Sequence, residues 1–282
     1  TVSSGWMTGA VFVVGVSCWY LLKKRNRRFA LSSIRVASVV GLVALLTVMF
    51  TGDRSGIEIG RHQPMKLAAA EGLEQGGKGM ALSIVPGIEI PNLLSVLATH
   101  DFDGYVPGIQ DLLDGYVDDA GVSHPSAQEK IERGKVALQA FKEYRTLKDS
   151  NPEEALKARQ TLEENVAYFG YGYIDHPEEL VPPVPLIYWA FRVMVGLGCF
   201  LLLLMCVVLW AEWKGKLQQM TWLHWVALCS IPLVYMAGQA GWIVAEVGRQ
   251  PWVIEGLLPV KAAVSSVSVG AVQTTFFLFV AI

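Results

Sequence analysis

Five long apolar runs constrain this chain more than any other feature of its sequence. Four of them cover residues 5–22, 31–51, 186–210 and 222–245, and a fifth begins near Val264 and is still running at the last residue. A helix needs about 20 apolar residues to cross a bilayer, because each residue advances it by about 1.5 Å. The runs therefore predict a bundle of membrane-spanning helices, and the mean hydropathy of +0.39 agrees with that class.

The charged residues are concentrated in one segment between the second and third runs. Residues 52–184 hold 22 of the 25 acidic residues and 12 of the 23 basic ones, a net charge of −10, whereas the remainder carries +8. We therefore predict an all-α integral membrane protein, a multi-pass helix bundle with a large, mostly helical extracytoplasmic domain at 52–184. Two transmembrane helices in residues 1–51 precede this domain, and three in residues 185–282, the last incomplete, follow it.

The polar segment divides into two parts. Residues 52–110 are rich in glycine and short turns, with one predicted helix at 63–75. Residues 126–168 repeat apolar positions at helical spacing on both sides of a Ser-Asn-Pro-Glu-Glu turn at 150–154. That pattern predicts two charged, amphipathic helices, most of whose charges simply solvate an outer face.

The short loops between the apolar runs determine the expected orientation. Positive residues mark the cytoplasmic side of a membrane protein. Residues 52–184 are therefore expected on the outer side. The cations of the two short loops are Lys23, Lys24, Arg25, Arg27, Arg28, Lys214 and Lys216.

Several function classes find no support in the sequence. No phosphate-binding glycine loop, no Gly-x-Ser-x-Gly motif and no basic, aromatic-rich patch for nucleic acid is present. The five histidines are scattered without metal-ligand spacing, and none of them, including His224 in an aromatic Thr-Trp-Leu-His-Trp run, is assigned a ligand role. The chain starts almost inside a helix without an initiating methionine, so both ends are expected to be cut.

The informative residues are those that cost most to place in a membrane. Arg192 lies inside the third run, where a charge costs about 2.5–3.5 kcal/mol even on a lenient insertion scale, so it should face the interior and have a partner. Glu246 and Arg249 close the fourth run at a spacing of three, which allows an intrahelical ion pair. Met194 alone is more typical of ordinary packing in an apolar helix.

Four ordered motifs resemble subunit I of cytochrome bd-type quinol oxidases. Gly-Arg-Gln-Pro-Trp at 248–252 resembles that family's signature, and Gln-Pro-Met-Lys-Leu-Ala-Ala-Ala-Glu at 63–71 resembles the start of its quinol-binding loop. The segments 90–113 and 185–196 also match in order and spacing. The resemblance covers essentially the whole chain and is weakest in the charged helices at 126–168.

The resemblance implies roles for two groups of residues. Lys66 and Glu71 match loop residues implicated in quinol oxidation, where a carboxylate can accept a proton that the quinol releases. Met194 matches the methionine ligand of the low-spin haem b, and Arg192 lies beside it in the same motif. The histidine opposite this methionine would precede Thr1.

The signature at the end of the fourth run carries the other implied roles. Glu246 matches a glutamate near or on the iron of the high-spin haem b, and Arg249 is placed to meet haem propionates. A haem d or a third haem b would complete the set, at an oxygen-reduction site mostly in residues that would precede this chain.

The resemblance also implies partners and a location. It implies quinol and O2 as substrates, oxidase subunit II as a partner with a small single-helix subunit beside it, a bacterial cytoplasmic membrane, and no nucleic acid. The implied reaction would reduce O2 to water and generate a proton gradient. Two alternatives stay open. One is a multi-pass transporter or channel subunit in which Arg192 and Glu246 line a substrate path, and the other is a haem-free structural homologue.

Overall fold

The computed structural model of the protein describes residues 2–85, 87–148 and 150–281, except for the side chain of Val85. The chain is predominantly helical, as predicted. The α-helices among the described residues are α1 (Val2–Leu22), α2 (Arg27–His62), α3 (Pro64–Glu71), α4 (Leu93–Thr99), α5 (Ile109–Asp114), α6 (Ala127–Leu147), α7 (Pro152–Asn165), α8 (Val184–Trp213), α9 (Thr221–Trp242) and α10 (Val269–Ala281). A π-helical turn, Ile243–Val247, continues α9.

Short antiparallel two-stranded ribbons lie between some of the helices in the part of the chain that the structure describes. They pair β1 (Gly77–Lys78) with β4 (Tyr105–Val106), β2 (Leu82–Val85) with β3 (Ile88–Ile90), β5 (Tyr116–Val117) with β6 (Ser123–His124), and β7 (Trp252–Ile254) with β8 (Leu258–Pro259).

Four helices are long and apolar enough to cross a membrane, within the described ranges 2–85, 87–148 and 150–281. They are α1, α2, α8 and α9, which confirms the first four predicted spans. The fifth is represented by α10, whose described helix has 13 residues and begins at Val269 rather than near Val264. Its role as a span stays a prediction.

Helix α2 is much longer than its apolar run, because it continues from Thr51 to His62 through polar residues. Nothing in that stretch breaks a helix until Pro64, which lacks an N–H group and disfavours helical geometry at Gln63. Pro64 then occupies the first turn of α3, where the missing N–H has no helical partner. Helix α3 ends at Glu71, ahead of Gly72 with φ +65°, and is shorter than the predicted helix at 63–75.

The packing of the chain divides it into two units, residues 1–126 with 181–249 and residues 127–180 with 250–282. In the first unit α1, α2, α8 and α9 form a four-helix bundle in which α2 and α9 each contact both α1 and α8. The side chains of Val11, Ile34, Leu201 and Met205 are fully buried in its core. Helices α3 and α4 pack on α2, and α3 also packs on α8 and α5.

The second unit contains the two charged helices. Helices α6 and α7 pack together, and α7 begins at Pro152 within the predicted turn signal. Helix α6 also packs on the 3₁₀ segment Val166–Tyr173. The predicted domain at 52–184 contributes residues to both units, so its boundaries stay a prediction.

Candidate functional site

Arg192 and Glu71 form an ion pair between α8 and α3. Arg192 Nη2 lies 3.0 Å from Glu71 Oε2, and the side chains are only 9% and 4% exposed. The same guanidinium donates to the backbone carbonyls of Ser83, at 2.7 Å, and of Ala70. The prediction that Arg192 has a partner in the interior is therefore confirmed, and the partner is a carboxylate from the polar segment.

An aromatic ring completes the surroundings of Arg192. Its Cζ atom lies 3.6 Å from the centre of the Tyr188 ring, one turn earlier in α8, which is close enough for a cation–π interaction. The Tyr188 hydroxyl is 3.3 Å from the Ser83 hydroxyl. Arg192 Nε is buried without a hydrogen-bond partner among the described residues. The guanidinium is therefore held firmly and retains one donor for a further acceptor.

The environment of Glu71 changes its acidity in two opposing ways. Burial raises the pKa of the Glu71 carboxyl, and the charge and hydrogen bond of Arg192 lower it, with burial the larger effect. The pKa of this carboxyl is thus above its usual range. Such a group can take up a proton and release it near neutral pH more readily than an exposed glutamate.

Lys66 connects α3 to the end of α9. Its Nζ atom donates to the Ala245 carbonyl at 3.1 Å and to Gln63 Oε1 at 3.4 Å. Ala245 lies in the π-helical turn, a geometry that is common at functional sites. A Cβ atom on Gly248 would come 3.1 Å from Lys66 Cγ and would collide with the Val244 carbonyl. The glycine of the signature at 248–252 therefore leaves room for the lysine.

One cavity of about 450 Å³ brings three of the predicted residues together. Lys66, Glu71 and Met194 all lie on its wall, with Arg192 bound behind Glu71. The other residues of the wall are mostly apolar: Gly52, Asp53, Ser55, Gly56, Ile59, Leu67, Ala70, Leu82, Leu94, Leu97, Ala98, Phe191, Val195 and Val244. A mostly apolar cavity with a few convergent polar groups is typical of a small-molecule site.

Met194 points toward α9 at a place where no side chain intervenes. Its Sδ atom lies 3.2 Å from the position that a Cβ atom on Gly241 would occupy. A thioether on a cavity wall is a soft, neutral donor of the kind that binds haem iron. Met194 and the unpaired Nε of Arg192 are therefore groups of the kind that could hold a haem. No cluster of three or more His, Cys, Asp or Glu suited to a metal ion occurs in the described part of the chain.

Glu246 and Arg249 form the ion pair that their spacing allows, with Arg249 Nη2 2.6 Å from Glu246 Oε2. Their side chains are 51% and 33% exposed, and neither lies on the wall of the cavity that contains Met194. The pair is therefore partly accessible from outside the core of the bundle.

Sequence reasoning missed part of this site. The carbonyls of Ala70 and Ser83 carry no sequence signal, because any residue supplies a carbonyl. Tyr188 could have been found, since it precedes Arg192 by four residues and i, i+4 side chains share a helix face. The contribution of α2 through Gly52 and Gly56 was hidden, because these residues fell outside the predicted span.

Comparison with known proteins places the chain in a family. A family model described as cytochrome bd terminal oxidase subunit I matches residues 1–282. Cytochrome bd-II ubiquinol oxidase subunit 1 of Escherichia coli (strain K12) is 34% identical over 310 residues, which cover 99% of this chain and 57% of that protein. Cytochrome bd ubiquinol oxidase subunit 1 of Bacillus subtilis (strain 168) is 30% identical over 285 residues, 96% of this chain and 49% of that one.

A solved structure has the same fold. The bd oxidase from Geobacillus thermodenitrificans superimposes with a TM-score of 0.63 at 22% identity, over 98% of this chain and 51% of that one. The chain thus spans about half the length of the relatives it matches. Because the family model covers the whole sequence, this membrane-spanning chain belongs to the family of cytochrome bd terminal oxidase subunit I.

Proposed function

We propose that this chain supplies the quinol-oxidising site of a terminal respiratory oxidase, which transfers electrons from quinol to O2 and forms water. The supporting observation is the single cavity whose wall holds Glu71, Lys66 and Met194. It places a proton acceptor, a hydrogen-bond donor and a soft ligand around one mostly apolar space, which is what oxidation of a hydrophobic quinol beside a haem requires.

The protein's own groups have distinct tasks in this proposal. Oxidation of a quinol to a quinone releases two electrons and two protons. Glu71 accepts a proton from a quinol hydroxyl, and its raised pKa keeps this transfer from being strongly uphill. Lys66 donates a hydrogen bond to a quinol oxygen, and Arg192 holds the Glu71 carboxylate in place.

The haems extend this proposal. Met194 would hold the iron of a low-spin haem b through its thioether, and Arg192 would help to bind the same haem. Glu246 would lie on or near the iron of a high-spin haem b, and Arg249 would meet propionates. When bound, the haems accept the quinol's electrons one at a time. A haem d or third haem b, subunit II and a small single-helix subunit complete the proposed complex in a bacterial cytoplasmic membrane.

The transporter alternative has no specific support in this geometry. An arginine that lines a substrate path should keep its guanidinium available, whereas Arg192 is engaged by Glu71 and two carbonyls. A haem-free homologue would need no thioether at Met194. Reduced-minus-oxidised spectra of the complete complex distinguish the haem-free homologue from the oxidase, because only the oxidase would show haem bands.

Substitution of Glu71 or Lys66 tests the proposed quinol site. We expect Glu71→Gln to lower quinol turnover by about 10²-fold or more, because a positioned acid–base group contributes about that factor. Lys66→Gln should lower it by a smaller factor. Both variants should retain a normal haem spectrum. Turnover is measured with purified complex at matched haem content.

Glu74→Gln is the matched control, since Glu74 is an exposed glutamate three residues from Glu71 and does not line the cavity. It should behave as the unmodified enzyme. Normal turnover in both Glu71→Gln and Lys66→Gln would remove these residues from the site.

The orientation proposed from the loop charges can be tested by labelling. Val122 is 53% exposed in the polar segment, and Lys214 is exposed at the end of α8. In a background without the four natural cysteines, Val122→Cys should react with an impermeant thiol reagent on intact cells. Lys214→Cys should react only after the membrane is opened. The reverse pattern would invert the proposed topology.

A further inference from the structure

A second cavity lies at the opposite end of the four-helix bundle, where the short loops carry the positive charge. It measures about 370 Å³, and its wall combines two apolar residues with six polar or charged ones. The loop between α1 and α2 contributes one side and the start of α9 the other. The lining residues are Leu21, Leu22, Lys24, Arg27, Gln218, Gln219, Thr221 and His224.

His224 is the unexplained residue of this cavity. It is only 3% exposed, yet its Nε2 atom has no hydrogen-bond partner within the described ranges. The imidazole ring is hydrogen-bonded to the Leu217 carbonyl. Because Nε2 has no partner, the ring atom that donates this hydrogen bond is Nδ1. Nε2 of this ring is therefore an acceptor. A buried polar atom without a partner costs about 1–3 kcal/mol, so a ligand donor at Nε2 would remove a real penalty.

The charges around the cavity are unbalanced. Lys24 and Arg27 form no ion pair with any residue that the structure describes. No acidic residue is among the described residues that line the cavity, and Glu212 at the end of α8 is buried and bound to Arg35 with an Nη2–Oε1 distance of 2.6 Å. The cavity therefore presents two cations, a buried imidazole and the positive end of α9, with no anion to balance them.

We propose that this cavity binds a phosphate group, and that its source is the headgroup of an anionic phospholipid in the cytoplasmic leaflet. Phosphate oxygens can accept hydrogen bonds from Lys24 and Arg27, and a hydroxyl of the headgroup can donate to the Nε2 lone pair of His224. A lipid is favoured over free phosphate because Leu21 and Leu22 form an apolar side of the cavity. Trp222 and Trp225, 58% and 56% exposed, mark the membrane interface at the same level.

The test is lipid retention by the purified complete oxidase complex, measured by native mass spectrometry. The complex in detergent is titrated with phosphatidylglycerol against phosphatidylcholine. We expect one tightly held phosphatidylglycerol that Lys24→Gln with Arg27→Gln weakens by at least about tenfold, since each basic residue near an anionic surface contributes several-fold. Lys23→Gln with Arg28→Gln removes the same charge from the same loop, off the cavity wall, and should retain the lipid.

His224 provides an independent variant that leaves the loop charges intact. His224→Asn keeps a donor near Nδ1 for the Leu217 carbonyl and removes Nε2, and it should weaken retention several-fold. Equal losses in the two double variants, or full retention in His224→Asn and the cavity pair, would overturn the site. Displacement of the lipid by excess inorganic phosphate would overturn the lipid assignment in favour of a free anion.

Discussion

Replacing Met194 with leucine is expected to abolish the low-spin haem signal of the complete complex and to stop quinol-driven turnover. A thioether donates a lone pair to iron, and leucine of nearly the same shape cannot. The ligand's loss should convert the haem to high spin or release it. Ordinary packing would instead cost less than about 1.5 kcal/mol for this nearly isosteric change and leave the spectrum unaltered.

Met205→Leu is the control for this substitution, because Met205 lies on the same helix and is fully buried in the bundle core. It should leave the low-spin signal intact. An unaltered low-spin spectrum in Met194→Leu, measured as reduced-minus-oxidised absorbance at matched protein, would return Met194 to a packing role.

Among the substitutions proposed for the first unit, Arg192→Gln is expected to lower the stability of the protein most. Removing one partner of a buried ion pair leaves the other unpaired, at a cost of about 3–5 kcal/mol. The substitution also removes the hydrogen bonds that Arg192 donates to the backbone carbonyls of Ala70 and Ser83. The melting temperature of the complex should fall clearly, and Glu71→Gln combined with Arg192→Gln should recover part of the loss.

The same variant has a defined pH dependence. Arg192 lowers the pKa of Glu71 while burial raises it, so removing Arg192 raises that pKa further. For a carboxyl with a raised folded-state pKa, stability is greatest below the unfolded pKa and is lost as pH rises through the folded one. Arg192→Gln should therefore destabilise more as pH rises, and the acid limb of quinol turnover should move to higher pH. An unshifted limb, in a variant with normal haem content, would contradict the coupling.

The membrane-spanning helices were predictable because apolar length is a local property of the sequence. The first four predicted spans are confirmed within the described residues. The true length of α2 was not predicted, since the polar stretch after Thr51 ends an apolar run but not a helix. The helix ends only at Gln63–Pro64. Because the predicted span ended with the apolar run, Gly52 and Gly56 lay outside the predicted bundle.

The site shows where sequence reasoning stops. The cost of a charge in a span predicted that Arg192 has a partner. It did not predict that the partner is Glu71, 121 residues away, because no local spacing relates them. The ion pair of Glu246 with Arg249 was predictable, since it needs only the geometry of one helical turn. The roles assigned from the resemblance stay predictions until they are measured.

Filling the cavity without disturbing its polar groups tests the central claim most directly. Gly56 on α2 lines the cavity, and a Cβ atom there would meet nothing within 4 Å. Gly56→Phe should therefore project a ring into the space proposed for quinol. Gly196 on α8 is equally open but lies off the cavity wall, so Gly196→Phe is the matched control.

The measurement is anaerobic reduction of the low-spin haem by quinol, followed at matched haem content, with dithionite as a donor that needs no quinol site. We expect Gly56→Phe to slow quinol-driven reduction by at least about tenfold, which corresponds to a loss of about 1.4 kcal/mol or more of binding free energy. Reduction by dithionite should be unchanged. Equal quinol-driven rates in Gly56→Phe and Gly196→Phe would contradict the assignment of this cavity as the quinol site.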